Sequence, residues 1–82
     1  MTPNQLKAAR RLLGWSRDRL GAYSDTSYHV IRTFEATGRV AIMYDWTGPS
    51  EPLAVIRATL EVAGVEFTNG DAPGVRLRKV GA

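Results

Sequence analysis

Capping residues and glycines divide residues 2–38 into short helical segments, and this division limits the folds open to the chain. Thr2 can cap a first helix, with Pro3 at its first position and Gln5 completing a Thr-x-x-Gln capping box. Apolar residues then recur at helical spacing until Gly14, a residue type that tolerates positive φ and commonly ends helices. Two further segments follow the same plan, so the sequence predicts short helices at about 3–13, 17–23 and 27–36.

The second and third segments are separated by only a few residues. Ser16 can cap the second helix and Ser27 the third. Between them Ser24-Asp25-Thr26 interrupts the helical pattern, and aspartate is one of the few residues besides glycine that enters the left-handed region at small cost. Gly21 leaves room for another helix to approach closely. Two short helices joined by a tight turn form a helix-turn-helix, which this segment therefore predicts.

The second half of the chain has a different pattern. An apolar insertion at 40–49 precedes a fourth helix, predicted at 51–63 with Ser50 as its cap. Two alternating stretches around a turn-rich segment predict a β-hairpin at 65–79. The fold class is therefore mainly α, with four to five helices and a C-terminal β-hairpin in one domain spanning residues 1–82. The core-facing residues are predicted to be Leu6, Ala9, Leu12, Leu13, Val30, Ile31, Phe34, Leu53, Ile56, Leu60, Ala63, Val65, Phe67, Val75 and Leu77.

Charge and composition exclude several classes of protein. Residues 1–39 hold seven lysines and arginines against three acidic residues, whereas residues 40–82 hold four against five, an asymmetry that hints at a polyanionic partner. The chain has no cysteine and one histidine, so we expect no disulfide, no metal site, no cofactor and no enzyme activity. No apolar run reaches membrane-spanning length and no signal peptide is recognised, so we expect a cytoplasmic protein without a membrane partner.

A family resemblance rests on the same segment. Arg17–Ala36, preceded by Leu12-Leu13-Gly14-Trp15-Ser16 and followed by Gly38, resembles the Cro/C1-type (XRE-like) helix-turn-helix family of transcriptional regulators. The tail, with Ala63-Gly64-Val65-Glu66-Phe67 before its turn, is similar to compact bacterial regulators of that group. The resemblance implies sequence-specific binding to double-stranded DNA in the bacterial nucleoid, with the helix at 27–36 reading the major groove. A homodimer is a further hypothesis, because a second copy could cover the apolar face of a lone hairpin.

The resemblance also implies roles for individual residues. Arg17 begins the second helix, where family members often touch the DNA backbone or an outer base. Arginine stands there in place of the usual glutamine, and this replacement favours phosphate binding over base reading. Asp25 and Thr26 stand where the family favours glycine and an aliphatic residue. Base contacts are implied for Tyr28, His29 and Thr33, and phosphate contacts for Arg32 and Arg39. The predicted DNA-binding set is Arg17, Ser27, Tyr28, His29, Arg32, Thr33 and Arg39.

Several of these residues also have a simpler interpretation. Tyr28 could pack against the second helix, and His29 could be an ordinary exposed residue. Basic side chains outside the helix-turn-helix are expected on solvated faces; these are Arg10 and Arg11 on the first helix and Arg76 and Arg78 on the hairpin. Met43, Tyr44 and Trp46 could be part of the core instead of a binding surface.

A second function stays open at this point. A module could keep this fold without binding DNA, and act instead as an antitoxin-like partner or an RNA-polymerase-contacting factor. Its contact surface would be Val40–Trp46, the apolar part of the insertion. A band-shift experiment separates the two functions, because only the first predicts that the protein binds DNA.

Overall fold

The computed structural model describes residues 1–40, 51–68 and 73–78. The described part is mainly helical and ends in a short antiparallel hairpin, so the predicted fold class is confirmed at this level. The insertion predicted at 40–49, and with it the contact surface Val40–Trp46, lies outside the described residues except for Val40. The elements are α1 (Pro3–Leu13), α2 (Arg17–Tyr23), α3 (Tyr28–Thr37), α4 (Pro52–Val62), β1 (Val65–Thr68) and β2 (Gly74–Leu77).

The helix ends follow the predicted capping chemistry for α1 to α3. The Thr2 hydroxyl accepts the Gln5 N–H at 3.1 Å while Gln5 Oε1 accepts the Thr2 N–H at 2.8 Å, so both halves of the capping box are made. Ser16 and Ser27 cap α2 and α3 through their hydroxyls. Gly14 ends α1 with φ of 69°. These local rules place all three helices within one residue of their predicted bounds.

The start of α4 differs from the prediction. Its N-cap is Glu51 and not Ser50, and the Glu51 side chain makes no capping hydrogen bond. Pro52 occupies the first turn, where a missing backbone N–H leaves no donor unsatisfied. The helix is therefore one residue shorter at each end than predicted. Packing of Ile56 and Leu60, which are fully buried, attaches it to the core.

The core lies between the four helices and the hairpin. α1 packs on α3 and β2, α2 packs on α3, and α4 packs on β1. The buried apolar residues are Leu6, Ala9, Leu20, Val30, Ile31, Phe34, Ile56, Leu60 and Val65. Leu12 was predicted to be in the core, but it is 42% exposed. Leu6, Ala9 and Leu13 form the inward stripe of α1, and Leu12 lies about 100° around the helix from Leu13, beyond the edge of that stripe.

The hairpin keeps its predicted apolar face. Val65 pairs with Leu77 and Phe67 with Val75, so these four side chains lie on one side of the sheet. Val65 is buried, whereas its cross-strand partner Leu77 is 47% exposed. On the opposite side Arg76 Nε lies 2.8 Å from Glu66 Oε2, and both side chains are solvated, as expected for Arg76.

Gln5 joins the start of α1 to the far end of the hairpin. Its Nε2 donates hydrogen bonds to the carbonyl oxygens of Thr68 at 3.2 Å and Gly74 at 3.1 Å. These two carbonyls belong to the residues that close the described strands. Gln5 is only 3% exposed, so its amide group makes its hydrogen bonds inside the protein. One residue therefore completes a capping box and clamps two strands, and only the first of these roles is visible in the local sequence.

Candidate nucleic-acid interface

Gly21 sets the distance between α2 and α3. A Cβ atom added at this position would lie 3.1 Å from the backbone nitrogen of Tyr28 and 3.2 Å from the carbonyl carbon of Ser27. Both neighbours are backbone atoms, which cannot rotate away as a flexible side chain can. The close approach predicted for Gly21 is therefore confirmed, and it brings the first turn of α3 against α2.

The turn between these helices is held by hydrogen bonds. Asp25 has φ of 54°, in the left-handed region, as predicted. The buried Ser24 hydroxyl donates to the Leu20 carbonyl at 2.7 Å, and the Thr26 N–H donates to the Gly21 carbonyl at 2.9 Å. Asp25 and Thr26 thus lie in a turn that these hydrogen bonds close.

The two sides of α3 differ sharply in burial. Val30, Ile31 and Phe34 are buried in the core, as predicted. The residues on the opposite side occupy an arc of about 140° at 3.6 residues per turn. Four of them are exposed and Thr33 is partly buried; the set is Tyr28, His29, Arg32, Thr33 and Ala36. The structure therefore brings four residues of the predicted DNA-binding set onto one helix face.

The remaining members of that set lie around this face. The hydroxyl of Ser27 accepts the Val30 N–H at 3.2 Å, so this side chain serves the cap of α3. Arg39 follows the end of α3 and is exposed. Tyr28 keeps 43% of its surface exposed, so it is not buried against α2. Within residues 1–40, 51–68 and 73–78, neither Arg32 nor Arg39 forms an ion pair with another described residue.

On the inner side of α3, the buried carboxylate of Glu35 binds two arginines. Arg10 reaches its carboxylate at two points, with Nε 2.7 Å from Oε2 and Nη2 2.9 Å from Oε1. Arg17 Nε lies 3.1 Å from the same Oε1. The Glu35 side chain is only 1% exposed. The three residues are hereafter the Glu35 cluster, and they connect α1, α2 and α3.

The cluster corrects one prediction and refines another. Arg10 was expected on a solvated face, but its side chain is 13% exposed because it turns inward to neutralise Glu35. Arg11 is exposed, as expected. Arg17, predicted to contact DNA, has its Nε engaged by Glu35 and keeps 37% of its side chain exposed. The available signal was Glu35 itself, an acidic residue on the apolar side of α3 that needs a buried cation.

The ionisation of Glu35 follows from these contacts. Burial, the largest single influence, acts to raise the pKa of its carboxyl, but the hydrogen bonds and positive charges of Arg10 and then of Arg17 together hold the pKa below its usual value. Glu35 is therefore charged at neutral pH. It cancels one of the two guanidinium charges beside it, and the cluster keeps a surplus of one positive charge.

Comparisons with known proteins leave the family open. The chain matches no model of a known protein family, and no curated protein matches it. The likeness to Cro/C1-type regulators therefore stays a prediction. None of the described helices is of the length and apolarity needed to cross a membrane. In the part of the chain that the structure describes, no three side chains of the metal-binding types are grouped to hold an ion.

Proposed function

We propose that the protein binds double-stranded DNA in a sequence-specific manner and acts as a transcriptional regulator of the Cro/C1-like type, with α3 in the major groove. The observation that carries this proposal is the position of α3, which packs on α2 through one side and exposes the other. Gly21 brings its first turn against α2, while Tyr28, His29 and Arg32 stay exposed on the outer side. A B-DNA major groove about 12 Å wide admits a single α-helix presented in this way.

The residues around α3 divide between two kinds of contact. Arg32 and Arg39 are exposed cations, suited to salt-sensitive contacts with phosphates. Tyr28, His29 and Thr33 lie on the side of α3 that would meet base edges, and they supply selectivity. The Ser27 cap keeps the first turn of α3 ordered, so the Tyr28 and His29 side chains start from a defined backbone.

The experiment is a selection from random DNA duplexes followed by titration of the enriched site at several salt concentrations. The matched pair of variants is Arg32→Ala on α3 and Arg76→Ala on the hairpin. Each removes one positive charge from a protein whose net charge is +3. Arg32→Ala should weaken binding and flatten the slope of log K against log salt by about 0.9, the value for one lost phosphate contact. Arg76→Ala should bind as the wild type does.

Two results would contradict the proposal. One is a wild-type protein that enriches no duplex and binds none at low salt, which would favour the interaction module in its place. The other is equal loss from both variants, which would mean that net charge and not the α3 face attracts the DNA.

A further inference from the structure

We infer that Glu35 is a positioning residue for Arg17: it holds the Nε edge of the guanidinium and leaves the terminal nitrogens to bind a DNA backbone phosphate. This inference rests on the proposed function and adds a residue that does not itself touch DNA. Its basis is the 3.1 Å contact between Arg17 Nε and Oε1 of Glu35, a buried residue of the proposed recognition helix itself.

The two arginines of the Glu35 cluster use their donors differently. Arg10 donates from Nε and Nη2 to Glu35 and from Nη1 to the Trp15 carbonyl at 3.0 Å, so all three of its nitrogens are engaged. Its side chain is also nearly buried. Arg17 donates only from Nε to any described residue, and more than a third of its side chain is exposed. Arg10 is therefore occupied inside the protein, whereas Arg17 has a second edge available for a ligand.

Charge favours an anion as that ligand. Glu35 carries one negative charge between two guanidiniums, and Arg10 satisfies it at two points. The surplus positive charge therefore belongs to the more exposed Arg17. A guanidinium presents donors along two edges, so one edge can stay on the carboxylate while the other binds two oxygens of a phosphate.

Anchoring the Nε edge also reduces the entropy lost on binding. A free arginine has several rotatable bonds to order when it meets a phosphate, whereas Arg17 is already held at one side. Lysine cannot replace it, because its single ammonium group cannot span a buried carboxylate and an external phosphate in the same fixed geometry. The role of position 17 therefore depends on the shape of arginine and not only on its charge.

The test compares lysine and alanine replacements at Arg17 with a lysine replacement at Arg76, with the selected duplex as the probe. Arg17→Lys should weaken binding about tenfold, the effect of one lost charge-assisted hydrogen bond, while the salt slope stays near that of the wild type because the charge is kept. Arg17→Ala should weaken binding and also flatten the slope. Arg76→Lys is the matched control: it makes the same replacement on the hairpin, away from the α3 face, and it should bind as the wild type does.

A second measurement requires no DNA. In nitrogen-15 NMR spectra of the free protein, the Arg17 Nε–H should exchange with water much more slowly than that of Arg19, which is exposed on the same helix. Glu35→Gln should accelerate the Arg17 exchange if the variant folds, and the Arg17→Lys binding data decide the question if it does not.

The outcomes separate this inference from the proposed function. A wild type that binds its duplex, together with an Arg17→Lys variant that binds equally well, overturns the role of Glu35 and leaves DNA binding intact. Equal exchange of the Arg17 and Arg19 Nε–H groups also overturns it. A wild type that binds no duplex overturns the proposed function, and the inference is then lost with it.

Discussion

Arg10 and Glu35 form a two-point ion pair between α1 and α3, although 25 residues separate them along the chain. Taking two charges out of water is costly, and good geometry is needed to offset that cost. Here both oxygens of Glu35 are satisfied, and Arg17 adds a third donor. Because its two hydrogen bonds are directional, we expect the pair to restrict the rotation of α3 against α1 more than apolar packing alone would.

Removal of Arg10 should destabilise the protein strongly. Arg10→Ala leaves Glu35 buried with only Arg17 beside it, and breaking a buried pair in this way costs about 3 kcal/mol. The matched control is Arg11→Ala, which removes the same charge from an exposed neighbour and should change the free energy of unfolding by less than about 0.5 kcal/mol. Urea denaturation measures both. Similar losses from the two variants would show that the ion pair adds nothing to stability.

Stability should fall in acid because of Glu35. Its pKa is lower in the folded protein, so the unfolded chain takes up the proton first as the pH falls. The contribution of Glu35 is therefore complete above the ordinary glutamate pKa of about 4.3, and it is lost as the pH falls through the folded-state value. Urea titrations of wild type and Glu35→Gln should show a gap in unfolding free energy at neutral pH that narrows in acid. A gap that does not vary with pH would contradict this assignment.

Stability should depend on the hydrogen-bond donor of the Gln5 side chain and not only on its size. In Gln5→Glu the shape is kept, but a carboxylate faces the carbonyl oxygens of Thr68 and Gly74, to which Gln5 now donates. Two partly buried acceptors lose their partner, so the free energy of unfolding should fall by about 2 kcal/mol. Asn4→Asp adds the same charge at an exposed neighbouring position and is expected to have little effect. Equal stability of the two variants would refute the clamp.

Substitutions at the base-reading positions of α3 should reduce selectivity for the DNA sequence without reducing the general attraction to phosphates. Alanine at Tyr28, His29 or Thr33 should weaken binding to the selected duplex by roughly 1–3 kcal/mol and leave binding to random DNA nearly unchanged. Circular dichroism spectra must first show that each variant is folded, since Tyr28 follows the residue that caps α3. Wild-type affinity and selectivity in all three variants would mean that this face does not read DNA.

Local structure was determined by the sequence itself. The hydroxyls of Thr2, Ser16 and Ser27 cap helices within three residues of their own positions, and Asp25 adopts its predicted left-handed conformation. Such interactions depend on near neighbours, so residue types at short spacing predict them. The same holds for the hairpin, where alternation alone assigns the apolar face.

Only the tertiary structure shows which polar side chains pair over long distances along the chain. Arg10 and Arg17 meet Glu35 across 25 and 18 residues, and Gln5 reaches Thr68 across 63. No periodicity specifies such pairs, because a charged or amide side chain has the same local propensity whether it finds a buried partner or water. Packing of α1 and α2 on α3 makes that choice: it shields Glu35 from solvent, and a shielded carboxylate must take its cations from the helices beside it.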